Sequence, residues 1–150
     1  MLNKIFKNKN AIFVAEIGLN HNGDISTAEE MISRAAVSGA DAVKFQTFIP
    51  EKMYSPYTSS LLKDGKETEP DYDIIDFFRK FTFTKNQWIK LKKFSEKCGV
   101  EFFSAPFDPE SVQLLESIDV RLYKIASSEL TNISLLKRIG ATKKPVILST

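Results

Sequence analysis

Short apolar runs alternate along the chain with stretches in which apolar residues recur at helical spacing. Ile12–Ile17, Ala42–Thr47, Glu101–Ser104, Val120–Ile125 and Pro145–Leu148 read as five buried strands. After the first, Ser26-Thr27-Ala28-Glu29 has the form of a capping box; Ala28, Met31, Ile32 and Ala35 then share a helical face that Gly39 should stop. Lys85–Lys97 carries Trp88, Leu91 and Phe94 on one face and ends at Gly99. Asp108-Pro109 supplies a cap and a first-turn proline to a helix whose apolar side is Val112, Leu115 and Ile118. Ile133, Leu136 and Ile139 mark a short helix that Gly140 should close.

Strand–helix units repeated at this spacing demand parallel strands joined by right-handed crossovers. No G-x-G-x-x-G follows the first strand, which removes the best support for a dinucleotide-binding sheet. The expected fold class is α/β, a TIM (β/α)8 barrel. The 150 residues supply about its first five β/α units, so 1–150 reads as the N-terminal portion of a barrel that usually takes about 250 residues. One interruption, Pro50–Phe83, has a polar, turn-rich first half and an additional helix over Asp73–Phe81. Placed after strand two, it would lie at one end of the sheet, as a substrate-covering loop or as decoration.

Side chains alternate faces along a strand, and the alternation gathers chemistry at one end. Ile12, Val14 and Glu16 share a face, as do Ala42, Lys44 and Gln46, and Leu122, Lys124 and Ala126. Each row starts apolar and turns polar toward its carboxyl end. Ser127, Ser128 and Glu129 continue past strand four, Ser104 and Asp108 flank the end of strand three, and Ser149 and Thr150 follow strand five. In barrels that end carries the chemistry. An unpaired ammonium inside a strand is costly, so Lys44 and Lys124 need either a carboxylate partner, with Glu16 or Glu129 available, or an anionic guest such as a phosphate or carboxylate.

The densest run is Ala15-Glu16-Ile17-Gly18-Leu19-Asn20-His21-Asn22-Gly23, a strand-to-helix connection holding the only histidine. With no second histidine to share a metal, His21 is expected to support the loop by hydrogen bonding. Asp108 reads first as a helix cap. Lys85, Lys90, Lys92, Lys93 and Lys97 read as a solvated helix face, and Phe77, Phe78, Phe81 and Phe83 as packing for the extra helix.

Composition narrows the functional classes. A formal net charge of +2 gives no reason to expect nucleic acid, and 43% hydrophobic residues can bury a sizeable core. Cys98 stands alone, which excludes a disulfide framework and leaves it a small apolar residue at a helix end. No apolar run approaches the roughly 20 residues of a membrane span, and Met1–Asn10 lacks the apolar core of a secretory signal. The expectation is a cytoplasmic protein with no membrane partner.

Five ordered segments carry a resemblance: Ala15–Gly23, Lys44-Phe45-Gln46, Ser104-Ala105-Pro106-Phe107-Asp108, Lys124-Ile125-Ala126-Ser127-Ser128-Glu129-Leu130-Thr131-Asn132 and Lys144-Pro145-Val146-Ile147-Leu148-Ser149-Thr150. Together they are similar to successive signatures of the sialic acid synthase family, which includes N-acetylneuraminate synthase and its legionaminate, pseudaminate and spore-coat polysaccharide relatives. The resemblance implies a (β/α)8 barrel followed by a small antifreeze-like domain, often in a domain-swapped homodimer. It implies condensation of phosphoenolpyruvate with an N-acylated amino-sugar aldehyde to a nine-carbon 2-keto sugar acid, with release of phosphate. A divalent metal, manganese or magnesium, is implied to polarise the aldehyde, with ligands beyond residue 150; no metal ligand is assigned within the chain.

By motif, Lys44, Lys124, Ser127 and Ser149 match phosphoenolpyruvate-binding positions, Glu129 a sugar contact, and Glu16 and Gln46 polar positions near sugar and metal. Glu16, Lys44 and Lys124 are therefore the expected catalytic residues; Gln46, Ser127, Glu129 and Ser149 are the expected substrate-binding ones. Ala105 departs from the threonine of some members, so that its phosphate contact would fall to Ser104 or a backbone amide. A keto-octulosonate phosphate synthase is a less fitting barrel, because the first and fourth signatures argue against it. The alternative function is an inactive fragment that binds a phosphorylated ligand or assembles with a complementary half, since strands one and five would be open edges.

Overall fold

The computed structural model describes residues 11–54 and 73–150. Five strands form one parallel sheet in the order β1 (Val14–Gly18), β2 (Ala42–Thr47), β3 (Glu101–Pro106), β4 (Tyr123–Ile125) and β5 (Val146–Leu148). Strand order that follows chain order, with every crossover of one hand, sends all connecting helices to the same face. These are α1 (Ile25–Val37), α4 (Lys85–Lys97), α5 (Pro109–Ser117) and α6 (Ile133–Ala141), with the short α2 (Pro50–Met53) and α3 (Ile74–Arg79) between β2 and α4. This is the first part of a (β/α)8 barrel.

The two faces differ in content. Toward the helices, Val43, Phe45, Phe102, Tyr123 and Ile125 join Trp88, Leu91, Leu115 and Leu135 in the main core. Toward the barrel interior, Ala42, Phe103 and Leu122 pack with Ile147 as a second, smaller cluster. Both edge strands expose apolar residues, Val14 on β1 with Phe13 just before it, and Val146 and Leu148 on β5. A closed barrel sets its eighth and sixth strands against those edges.

Several boundaries differ from the sequence reading, each for a local reason. The cap of α1 is Asp24, whose carboxylate accepts from Thr27 N, so the helix starts at Ile25 and the Ser26–Glu29 capping box does not form. The strand expected over Val120–Ile125 pairs only from Tyr123. Val120 belongs instead to the end of α5, its N–H bonded to Leu115 O and its carbonyl taken by Lys144 Nζ at 2.5 Å. Gly140 does not close α6, which runs on to Ala141; Lys143, at φ 55°, makes the left-handed turn there. β3 extends to Pro106 because β2 pairs with it as far as Thr47.

The extra helix is present as α3, capped by Asp73 through Ile75 N at 2.8 Å. Phe77, Phe78 and Phe81 pack there with Phe48 as expected, but Phe83 turns away, lying against the His21 ring and meeting Trp88 edge to face. The turn signals over 55–72 lie outside the described residues. Cys98 ends α4, partly buried against the main core. No helix among the described residues is long and apolar enough to cross a membrane.

Candidate active site

A bulge in β1 shapes the site. Glu16 pairs with Lys44 and Gly18 with Phe45, leaving Ile17 as the extra residue that plugs into the helix-side core. Glu16 stays on the interior face, and its Oε2 meets Lys44 Nζ at 2.7 Å. The ammonium end of that pair is nearly covered while the carboxylate side chain is 52% exposed. Gly18 lets this arrangement exist: a Cβ there would sit 3.0 Å from Glu16 Oε1 and 3.9 Å from both Asn20 Nδ2 and Gln46 Nε2. One carboxylate and two amides thus converge around a bare backbone.

Across the interior, Lys124 Nζ donates to Ile125 O at 2.8 Å and to Ser149 Oγ. Burial, and then the charge of Lys44, hold the Lys124 ammonium below the usual lysine range, while Glu16 pulls the other way. Two lysines from β2 and β4 therefore face one space, balanced by one carboxylate. Beneath them Ala42, Phe103, Leu122 and Ile147 form an apolar floor. Over such a floor an anion gains more from fixed cations than it would in water.

The structure brings together Glu16, Lys44, Gln46, Lys124 and Ser149. Ser127 and Glu129 lie on the 3-10 turn Ser127–Glu129 just past β4. Glu129 is held by its own turn, accepting from Asn132 Nδ2 at 2.8 Å, and is not ion-paired to either lysine; the partner of Lys44 is Glu16. Ser104 cannot stand in for the missing threonine. It pairs in register with Phe45, points toward the helices and shares a buried 2.7 Å hydrogen bond with Thr47 Oγ1. Ala105 occupies the interior position beside Gln46. A cleft of about 400 Å³ opens next to Gln46, walled by Arg79, Phe81, Trp88 and Glu110.

Asp108 is the cap expected of it, accepting from Ser111 N at 2.7 Å, and it also accepts from Ile49 N at 2.9 Å, which ties the β2–α2 connection to α5. One ion pair at the opposite end of the strands went unread in the sequence. Arg121 meets buried Glu101 through Nη2 at 2.9 Å and Nε at 3.1 Å, and burial pushes the Glu101 carboxyl upward against that pairing. The only signal was a carboxylate opening an otherwise apolar strand.

His21 is fully buried, its ring 4.4 Å from that of Phe83, and its Nδ1 accepts from Gly23 N at 3.0 Å. That bond fixes the proton on Nε2 and turns the ring into the core. Burial lowers its pKa to about 4, with the Gly18 backbone opposing. The unfolded chain protonates near 6.5 and the folded one only near 4, so stability is full above pH 6.5 and declines as pH falls through this window. Replacing His21 by Gln should flatten that decline. Thermal melts from pH 7.5 to 4 should show wild type losing about 2–3 kcal/mol more than the variant; parallel curves would show that His21 does not carry the effect.

Comparison with known proteins gives the family. The chain is 38% identical over 142 residues to an N,N'-diacetyllegionaminic acid synthase of Campylobacter jejuni, covering 95% of this chain and 42% of that protein. It is 32% identical over 138 residues to a pseudaminic acid synthase of Helicobacter pylori, covering 91% and 40%. The crystal structure of an N-acetylneuraminic acid synthetase from Leptospira borgpetersenii, in complex with citrate, superposes with a TM-score of 0.79 at 33% identity over 93% of this chain and 44% of that one. The chain spans about two fifths of the length of these curated relatives. The model of the NeuB family matches residues 31–150, taking in β2 through β5 with both rim lysines, and the chain belongs to that family.

Proposed function

We propose that this chain forms the anion-binding rim of a synthase that joins phosphoenolpyruvate to an N-acetylmannosamine-type amino sugar, yielding a sialic acid-like nonulosonate and phosphate. The observation that carries the reading is the convergence of Lys44 and Lys124 over an apolar floor, with Ser149 beside one and Glu16 beside the other. A substrate carrying a phosphate and a carboxylate on three carbons needs two fixed cations close together, and hydroxyl donors to complete its oxygens. The names of the relatives support a nonulosonate product.

In this reading Lys44 and Lys124 hold the phosphate and carboxylate, with the Ser127 and Ser149 hydroxyls donating to them. The methylene carbon of phosphoenolpyruvate attacks the aldehyde carbon, forming the new C–C bond. Water then adds to the cationic C2, and phosphate leaves from it. Lys44 and Lys124 stabilise the phosphate as it departs. Glu129 and Gln46 take hydroxyls of the amino sugar, and Glu16 accepts a hydroxyl or moves a proton at the junction of the two substrates.

A divalent metal, manganese or magnesium, enters this proposal only as a group held by residues beyond 150. The described residues offer no group of three His, Cys, Asp or Glu side chains that could hold one, and His21 spends Nδ1 on Gly23. The proposal assigns 1–150 to the N-terminal part of the barrel, and an antifreeze-like domain, a homodimer and a cytoplasmic setting to the whole protein.

The test is an assay of the intact protein with phosphoenolpyruvate, manganese and, in parallel, N-acetylmannosamine and diacetamido sugars. Phosphate should appear only when an amino sugar is present, with a 2-keto acid of matching mass. Phosphate release with arabinose 5-phosphate but not with any amino sugar would overturn the reading.

A further inference from the structure

We propose that the Glu16–Lys44 ion pair is an exchangeable latch: the phosphorylated substrate displaces Glu16 from Lys44, and the freed carboxylate then serves the hydroxylated co-substrate, so that the first binding event strengthens the second. This rests on the functional reading above and deepens it, because it assigns an order and a coupling to the two substrates.

The asymmetry of the pair supports the exchange. Lys44 is nearly buried, fixed in the sheet opposite Glu16 and Phe103, whereas the Glu16 side chain is about half exposed. The ammonium stays and the carboxylate is the part able to leave. Lys124 has a different resting arrangement, with a carbonyl and a hydroxyl in place of an anion. An entering phosphorylated anion therefore meets one lysine with no carboxylate in direct contact and one that is ion-paired. Binding to both places it against Glu16, and like charges at that distance repel. Glu16 has somewhere to turn, because its Oε1 lies over Gly18, with Asn20 Nδ2 and Gln46 Nε2 around the same point. Asn20 Nδ2 already gives one hydrogen to Ile17 O at 2.9 Å, and an amide NH2 has a second to offer, so both amides can serve a carboxylate that has lost its ammonium.

Two consequences follow from thermodynamics alone. Displacing Glu16 takes free energy from the binding of the phosphorylated substrate, so removing the carboxylate should tighten that binding. Affinity of each substrate should rise in the presence of the other by the same factor.

The experiment is calorimetric titration of the intact protein and its Glu16→Gln variant, in buffer with a metal chelator so that the ligands bind without reacting, with phosphoenolpyruvate and with N-acetylmannosamine, each alone and in the presence of the other. In wild type each ligand should raise affinity for the other by roughly fivefold. In Glu16→Gln, phosphoenolpyruvate should bind about threefold to tenfold more tightly, and the coupling should vanish. Glu16→Asp, too short to reach Lys44 but still charged, should lose the resting ion pair and tighten phosphoenolpyruvate binding less than Gln does. Equal or weaker binding of phosphoenolpyruvate by Glu16→Gln overturns the latch while leaving the functional reading intact. Absence of phosphoenolpyruvate binding by the wild-type protein overturns both.

Discussion

Replacing Lys124 by methionine should lower kcat/KM for phosphoenolpyruvate in the intact protein about a thousandfold, a loss of ~4 kcal/mol in transition-state stabilisation. Methionine keeps most of the apolar stem and removes only the charge. The charge matters here because of its surroundings: the ammonium is partly desolvated, sits beside a second ammonium and stands over Phe103, Leu122 and Ile147. Holding two like charges together is unfavourable without an anion, and an anion between them recovers that cost. The substitution should leave the thermal midpoint unchanged or raise it, since it relieves repulsion between the lysines. An arginine should not restore activity. The Lys124 ammonium reaches Ile125 O and Ser149 Oγ from within the sheet, and a planar guanidinium cannot take the place of so compact a group. Steady-state kinetics beside melting curves decide the matter. Retained saturation with phosphoenolpyruvate would remove Lys124 from the site.

The barrel was legible because period-two and helical patterns follow each other cleanly, and the interior row was legible for the same reason: alternation alone puts Glu16, Lys44 and Lys124 on one face. Three kinds of detail were not. A bulge inserts a residue without altering composition, so nothing in Glu16-Ile17-Gly18 announced that Ile17 would leave the ladder. Side-chain pairing across strands depends on register, which left the partner of Lys44 open between Glu16 and Glu129 and hid the Thr47–Ser104 bond that withdraws Ser104 from the rim. Helix ends misled where two residues competed for one role. Asp24 and Ser26 can both cap α1, and the ionised carboxylate is the stronger acceptor. Ser127 and Glu129, matched by motif, lie on the turn just past β4, where Asn132 Nδ2 holds the Glu129 carboxylate, a local bond that alternation along the strand does not foretell.

Gly23→Ala should destabilise the protein by about 3 kcal/mol and lower its thermal midpoint by roughly 6–12 °C. Gly23 has a φ of +75°, and a Cβ there would lie 1.8 Å from the carbonyl oxygen of Lys80. The left-handed backbone alone costs an alanine about 1 kcal/mol; the rest comes from pushing a main-chain carbonyl aside. Gly99 separates the two contributions, because its φ of +77° is equally unfavourable and nothing lies within 4 Å of its would-be Cβ. Gly99→Ala should therefore lose about 1 kcal/mol. The excess at Gly23 measures how firmly the β1–α1 loop is seated on the turn after α3. That seat has a functional side: Gly23 N holds His21 Nδ1, His21 lies against Phe83, and the residue before it, Asn20, lies around Gly18 with Glu16 and Gln46. The same variant should then bind the amino sugar more weakly, while phosphoenolpyruvate, which the proposed function assigns to β2, β4 and β5, should keep its affinity. Equal melting losses for Gly23→Ala and Gly99→Ala would show that the loop moves freely away from Lys80, and the signature run would lose its role as the fixed wall of the site.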